Sequence, residues 1–405
     1  MMAILVLNSG SSSIKYELFT KKGLRPLASG LVEKIGEEIS FLSHTTFSKA
    51  DEPTVHQQKL PIPDHGTALN CVLSVLLDPI HGCVKDASEI IAVGHRVVHG
   101  GETFHKTTII DETVLAAIKE NIHLAPLHNP PNLKGIEVAR KIFPHAIQVA
   151  VFDTAFHHTI PKRAFLYALP FELYEREKIR RYGFHGTSHS YVADSAANYL
   201  GRPLDSLNLI TIHLGNGASM AAIKQGKCID TSMGMTPLEG LVMGTRSGDI
   251  DPALPFFLAK HLHLTYEEID ELLNKGSGLK GLCGTNDMRQ VLQMRRNGNE
   301  QASIALEVYC YRIKKYIGAY YAILGGLDAV VFTAGIGENS PEVRELACDG
   351  LQHMGIRIDE GKNYSTSSGI RDISSTSSTV RVLTIPTNEE LKIAMETLKI
   401  IQELP

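Results

Sequence analysis

Three stretches of this chain set cationic or proton-bearing side chains among Gly, Ser and Thr. They are Gly94-His95-Arg96-Val97-Val98-His99-Gly100-Gly101, His185-Gly186-Thr187-Ser188-His189 and Gly244-Thr245-Arg246-Ser247-Gly248-Asp249. Such stretches cannot fill a core, but they can expose backbone N–H groups beside an Arg or a His. That is equipment for holding an anion whose charge must be stabilised, a phosphoryl group in transfer above all. Arginine keeps its planar fork charged at any working pH, so Arg96 and Arg246 are candidate grips and His185 a candidate donor. For any one of these arginines, half of a surface ion pair is the commoner reading. His95, His99, His123, His128, His157, His158 and His189 read as structural histidines. His185 and His189 have a spacing that ligates zinc on a helix, but Gly-Thr-Ser is a poor helix interior and no third ligand is evident.

Three turns that leave apolar strands supply further chemistry. Asn8-Ser9-Gly10-Ser11-Ser12-Ser13 followed by Lys15 offers hydroxyls, approachable amides and one ammonium, the parts that bind phosphate oxygens. Asn8 suits a magnesium ion, held directly or through water. A Ser-rich hairpin turn is the plain alternative, and the turn is not a Walker loop. His213-Leu214-Gly215-Asn216-Gly217 again gives backbone that a ligand can approach closely. Val330 to Thr333 runs into Ala334-Gly335-Ile336-Gly337-Glu338-Asn339, which fits a nucleotide lying over a strand end. Two carboxylate positions complete the set. Asp153 stands where the run Val149 to Phe152 emerges, and Glu389-Glu390 follow Ile385-Pro386-Thr387-Asn388 at a helix start. A carboxylate there can meet a divalent cation beside phosphates, although a capped first helical turn accounts for one of the two glutamates.

The elements that must position these residues are an α/β mixture. Ile4–Leu7 and Ile14–Phe19 form a strand–turn–strand unit, and Leu209–Leu214 with Met220–Ile223 form a second, a structural echo that hints at internal duplication. Further strands are expected at Ile90–Val98, Ile147–Phe152, Ala329–Thr333 and Val380–Ile385. Helices are expected at Thr113–Asn121, Pro131–Ile142, Ser190–Leu200, Tyr266–Asn274, Ala302–Leu324 and Asn388–Gln402. Tyr364–Thr379 reads as a flexible Ser/Thr-rich surface loop. Hairpins beside helices point to mixed sheets.

At 405 residues the chain is too long for one ordinary core, so two domains are expected. Its 43% hydrophobic and 21% charged residues are ordinary for a globular protein. A net charge of −4, with no basic stripe or tail, argues against nucleic-acid and membrane-surface partners. No apolar run spans a bilayer, and Met1–Leu7 reads as a first strand rather than a signal peptide. The six scattered cysteines read as reduced thiols of a cytoplasmic protein.

Nine motifs, in order from end to end, resemble the acetate kinase family. They are the Asn8–Lys15 turn, Gly94–Gly101, Ala125–Pro130, Phe152–His157, Arg181–His189, Met235–Gly240, Met243–Asp249, Phe332–Asn339 and Ile385–Glu390. The resemblance implies two duplicated ribonuclease H-like (actin-like ATPase) domains around an ATP cleft. Residues 1–153 with 386–405 would form the carboxylate side and 154–385 the nucleotide side. It implies that Arg96 and Arg246 contact the carboxylate and the moving phosphoryl, and that His185 stabilises the transition state. Asn8 and Glu389 would serve magnesium, for which manganese can substitute. ATP would lie on His213, Leu214, Gly215, Asn216 and Gly217, on Asp287, Met288 and Arg289, and on Gly335, Ile336, Gly337, Glu338 and Asn339. Ser11, Ser13 and Lys15 would lie near its phosphates. Val98, Leu127, Phe184 and Pro237 would line the methyl pocket. Asp153 is the family's usual catalytic base, but a carboxylic acid is already ionised at pH 7. Asp153 is therefore expected to orient an arginine or hydrated magnesium. The expected reaction is reversible in-line transfer from Mg-ATP to acetate, with propionate or butyrate as the alternative acceptor. The expected assembly is a homodimer. An ATP-binding switch of the actin kind would keep the glycine turns but has no need of Arg96, His185 and Arg246 together.

Overall fold

A computed structural model describes residues 2–47, 52–126 and 128–404. The chain divides into two compact units, Met1–Ala155 with Asn388–Pro405, and Phe156–Thr387. Among the described residues, no helix is long and apolar enough to cross a membrane.

The first unit is built on an eight-stranded mixed sheet: β1 (Ala3–Ser9), β2 (Ser13–Thr20), β3 (Pro26–Glu33), β4 (Ser40–Thr46), β5 (Thr54–Leu60), β6 (Ile90–Val97), β7 (Thr108–Ile109) and β8 (Ile147–Phe152). Their order is β5-β4-β3-β2-β1-β6-β8-β7. β1 pairs antiparallel with β2 and parallel with β6, in a ladder that ends at Leu7 opposite His95. β1 is apolar on both faces because both faces are covered. Leu5 and Leu7 pack with Ile14, Leu18, Leu69 and Val72 on the side of α1 (His65–Leu77) and α3 (Asn129–Ile142). Val6 faces the other way, onto Ile393 and Ala394 of the C-terminal helix (Glu389–Gln402). That helix lies so close to β6 that a β-carbon on Gly94 would stand 2.4 Å from Thr397 Oγ1. Only glycine fits there. Between β7 and α3, α2 (Glu112–Glu120) joins Val97, Ile136 and Phe152 in a smaller cluster. The segment from Glu38 to His65, which carries none of the nine motifs, contributes β4 and β5. The second of these is an exposed polar edge strand, a composition that discourages further pairing.

The second unit has a six-stranded sheet: β9 (Asn208–Leu214), β10 (Ala218–Lys224), β11 (Lys227–Thr231), β12 (Ala329–Thr333), β13 (Arg371–Asp372) and β14 (Arg381–Thr384). The order β11-β10-β9-β12-β14-β13 repeats the pattern of the first sheet, an antiparallel β11-β10-β9 run continued by two parallel strands. α4 (Gly186–Leu200) covers one face, and its Ala193, Ala196 and Ala197 let it approach Leu209, Ala221 and Val331 closely. Further helices include α5 (Leu254–Leu262), α6 (Met288–Arg296) and α7 (Glu300–Leu324), the last packing on β9 and β10.

Two local expectations are corrected. Gly186-Thr187-Ser188 lies inside α4 and is not a break before it, because burial of Thr187, Ser188 and His189 overrides weak helix propensity. Tyr364–Thr379 is not a free loop. Arg371–Asp372 pairs with β14, and buried Ser374 accepts the Val382 N–H through Oγ at 2.7 Å.

Candidate active site

In the first unit the site grows from the exits of β1 and β6 and the start of the C-terminal helix. Arg96 donates from Nη2 to Asp153 Oδ2 at 3.0 Å and from Nη1 to Asn8 Oδ1 at 3.5 Å. Its Nε lies 3.9 Å from Glu389 Oε2. Asp153 is fully buried, and its backbone N–H donates to Val97 O at 2.8 Å, which fixes it beside the β6 exit. Burial alone would lower the Arg96 pKa, but Asp153 and Glu389 outweigh it and hold the guanidinium above its ordinary range. Glu389 is pushed up, first by burial and then by Asp153 and Glu390, against the pull of Arg96. Asn388 caps the helix by accepting the Leu391 N–H at 2.8 Å, which leaves neither glutamate needed as a cap. Glu390 takes Lys15 Nζ at 2.7 Å. Glu17 joins the group, pushed up to about 7 by burial and then by Glu390. Four carboxyls thus gather around Arg96 and Lys15, and two buried polar atoms there, Ser9 Oγ and Arg96 Nε, lack a hydrogen-bond partner. Asn8 Oδ1 and Glu389 set oxygen donors beside Arg96, the ligand type a hard divalent cation takes. The Ser turn is closed by Gly10 N–H donating to Ser13 O at 2.8 Å, with Ser11 exposed and Ser13 half-buried.

In the second unit His185 occupies the position before α4 with φ 55°, a left-handed conformation that costs a non-glycine residue energy and aims its ring. Its Nδ1 is 2.9 Å from Ser219 Oγ, and its ring stacks on His213 at 4.2 Å. Ser219 Oγ also meets His189 Nε2 at 2.7 Å, so one hydroxyl ties both histidines together. His189 Nδ1 is 2.7 Å from Thr211 Oγ1, and Ser188 Oγ is 2.8 Å from His213 Nδ1. Arg246 comes to the same place from another loop. A β-carbon on Gly217 would stand 3.4 Å from His185 Nε2 and 3.6 Å from Arg246 Nη1, so both converge on that turn. The Arg246 loop is held by its backbone: Ser277 N–H to Thr245 O, Leu279 N–H to Met243 O and Gly244 N–H to Asn216 O, at 3.0, 2.9 and 2.9 Å. Arg246 donates to Pro237 O at 3.4 Å and has no carboxylate partner among the described residues. Burial pulls its pKa down.

A cavity of about 690 Å³ opens beside this turn. Of the expected nucleotide residues, Gly215, Asn216, Asp287, Met288, Arg289, Gly335, Ile336 and Asn339 line it. His213, Leu214, Gly217, Gly337 and Glu338 do not. Leu214 is buried in β9, and Glu338 Oε1 accepts the Thr387 N–H at 3.3 Å. Asp287 caps α6 and also binds the Arg289 side chain through both oxygens, at 3.0 and 2.7 Å. Asn286, Leu292 and Ser340 line the cavity too and were missed. Helical spacing from Met288 points to Leu292, since i and i+4 share a face. Of the expected methyl-pocket residues, Val98 and Phe184 are buried and Pro237 is half-buried. Leu127 lies outside the described residues. Phe184 O accepts from His157 Nε2 at 2.8 Å, which fixes the backbone just before His185.

A sequence profile of the acetokinase family matches residues 3–395. Acetate kinase of Thermotoga maritima is 54% identical over 406 residues, covering the whole of both chains. The crystal structure of Porphyromonas gingivalis acetate kinase superposes with a TM-score of 0.93 at 47% identity, covering 99% of this chain and 100% of that one. A propionate kinase from Francisella tularensis follows at 0.90 and 43%, covering 98% and 100%. With two mixed sheets of matching order and a profile that runs almost from end to end, the chain belongs to the acetokinase family of ATP-dependent kinases.

Proposed function

We propose that this chain transfers the γ-phosphoryl of ATP to acetate, reversibly and with magnesium, giving acetyl phosphate and ADP. The observation that carries the reading is Arg246, a largely desolvated cation with no carboxylate partner among the described residues, converging with His185 on a glycine turn. A charge left in that state waits for an anion. In the in-line step a carboxylate oxygen bonds to the γ-phosphorus while the bond to the β-bridging oxygen breaks and ADP leaves. Charge spreads over three equatorial oxygens, so positioned cations supply most of the catalysis. Arg246 and His185 are assigned to those oxygens, and Arg96 to the acceptor carboxylate and the moving phosphoryl. Asp153 orients Arg96. It has no proton to remove, because acetate is ionised at neutral pH.

Asn8 and Glu389 are assigned to magnesium. Among the described residues no three His, Cys, Asp or Glu side chains gather as a complete cage, which suits an ion that keeps waters and phosphate oxygens as ligands. When bound, the ion would neutralise phosphate charge; manganese would substitute for it. The first unit is thus assigned the carboxylate side and the second the nucleotide side. Ser11, Ser13 and Lys15 are assigned to the phosphates, although Lys15 is engaged by Glu390. Val98, Phe184 and Pro237, with Leu127, are assigned to the methyl group. We further assign a cytoplasmic location, and a homodimer, the latter supported by the exposed apolar residues of α5, a helix with no buried residue.

Trapping the acyl phosphate with hydroxylamine tests the reading, using Mg-ATP with acetate and then propionate at matched concentrations. One methylene shifts transition-state binding by only about 1–3 kcal/mol, so acetate should lead by no more than roughly 200-fold. A lead for propionate would move the acceptor and keep the chemistry. No hydroxamate from either acid, with ATP bound, would overturn the reading.

A further inference from the structure

We propose that Asn132, on α3, is a positioning residue that sets the spacing of the carboxylate and metal grips. The parallel ladder between β1 and β6 ends at Leu7 opposite His95. The residues that matter lie beyond that point: Asn8 and Ser9 on one chain, Arg96 and Val98 on the other. Asn132 bridges the gap. Its Nδ2 donates to Ser9 O at 2.8 Å, and its Oδ1 accepts from Val98 N–H at 3.0 Å. A carbonyl can only accept and an N–H can only donate, so the orientation of the amide is fixed by its partners. The side chain thereby does what a peptide unit of a ladder would do, one step past the place where the ladder stops.

The bridge is rigid. Asn132 is 3% exposed, and one helical turn earlier Asn129 clamps the next residue of the same exit, accepting from His99 N–H at 3.2 Å and donating to His99 O at 3.0 Å. α3 can come this near only because Gly135 has no side chain. A β-carbon there would stand 2.3 Å from Ser9 Oγ. The contact between Arg96 Nη1 and Asn8 Oδ1, at 3.5 Å, spans the same gap and depends on its width. A buried amide with both ends engaged and no solvent face has packing reasons to exist. The partners chosen here are the two backbones that carry Asn8 and Arg96, and that choice marks a role in the site.

The inference rests on the assignment of Arg96 to the carboxylate, so Arg96→Ala is measured alongside. The test is steady-state kinetics of full-length Asn132→Ala and Asn132→Asp, varying acetate, ATP and magnesium in turn. Hydrogen exchange over residues 94–101 is followed in the same proteins. Losing a buried bridge should raise the KM for acetate and the magnesium concentration for half-activation by roughly tenfold, with the KM for ATP within about twofold. The Val98 amide should lose protection. Agreement between the two variants separates loss of the bridge from the charge that aspartate adds, and the isosteric aspartate carries the test if the alanine variant does not fold. An unchanged acetate KM, or equal rises for acetate and ATP, would overturn the inference while Arg96→Ala still raises the acetate KM. If Arg96→Ala itself leaves that KM unchanged, the assignment beneath it falls as well.

Discussion

Arg96 and Arg246 are one residue type kept in opposite company. Arg96 has Asp153 at 3.0 Å and Glu389 at 3.9 Å, so its charge is balanced and its fork is aimed. Among the described residues Arg246 has neutral acceptors only, Pro237 O among them, and its desolvation is offset by no carboxylate there. A balanced arginine orients a ligand, whereas an unbalanced one attracts developing negative charge most strongly. Arg246→Ala should therefore lower kcat by roughly 10²–10³, the scale of losing one oxyanion donor, with ATP affinity nearly unchanged. Arg246→Lys should recover little, because an ammonium cannot reproduce the fork. Isothermal titration with ATP beside turnover measurements checks both, and near-normal turnover of the alanine variant would remove Arg246 from the chemistry. The grouping of Arg96, His185 and Arg246 with Gly, Ser and Thr was legible in the sequence; that the first two stretches are also largely buried was not. Nor was Ser219. Its hydroxyl joins His185 to His189 across sequence gaps of 34 and 30 residues, and no local pattern encodes such a pairing.

Elements decide how well such residues are held. The Arg246 loop has no helix or strand of its own and borrows its shape from the backbone at 277–280. Gly278 is packed against that loop's backbone, with φ +62° and a missing β-carbon that would stand 2.2 Å from Met243 O and 2.7 Å from Arg246 O. Gly278→Ala should cost on the order of 1–3 kcal/mol of stability through that strained φ. It should also lower kcat more than it alters the KM for ATP, because one of the two displaced carbonyls belongs to Arg246 itself. Thermal melting with kinetics at 25 °C checks the pair of effects; a stable variant with unchanged kcat would mean the loop is held elsewhere. The elements that carry the site were readable where an apolar run meets a polar turn, as in β1–β2 and β9–β10. They were unreadable where tertiary burial overrules local preference. α4 begins on Gly-Thr-Ser because Ser188 and His189 find buried partners in His213 and Thr211. β13 is two residues long and exists only because β14 pairs with it.

Over the whole molecule, exposed apolar side chains bear on assembly and titratable groups on stability. The outer face of α5 presents Phe256 at 76% exposure and Leu262 at 60%, and Tyr266 beyond it is 81% exposed. Exposed large apolar side chains this close together mark an interface, and a second copy of the chain is the occupant proposed for them. Phe256→Asp should shift sedimentation from dimer toward monomer; a wild type that sediments as a monomer would sink the proposal. Two groups contribute to stability against pH with opposite sign. His95 is fully buried beside Gln148, and burial pulls it from 6.5 to about 4. Between those values the unfolded chain binds the extra proton, so this contribution, about 3 kcal/mol from the size of the shift, is present above pH 6.5 and lost as pH falls toward 4. Glu17 runs the other way. Burial and Glu390 raise it from 4.5 to about 7, so the folded chain holds the extra proton and stability declines as pH rises across that range. The two slopes oppose each other over most of the same interval. Glu17→Gln removes one of them. Its melting temperature should match wild type near pH 4.5 and exceed it at pH 8, with the gap opening between. A gap of constant size at every pH would show that Glu17 acts through packing, and that its proton has no part in the balance.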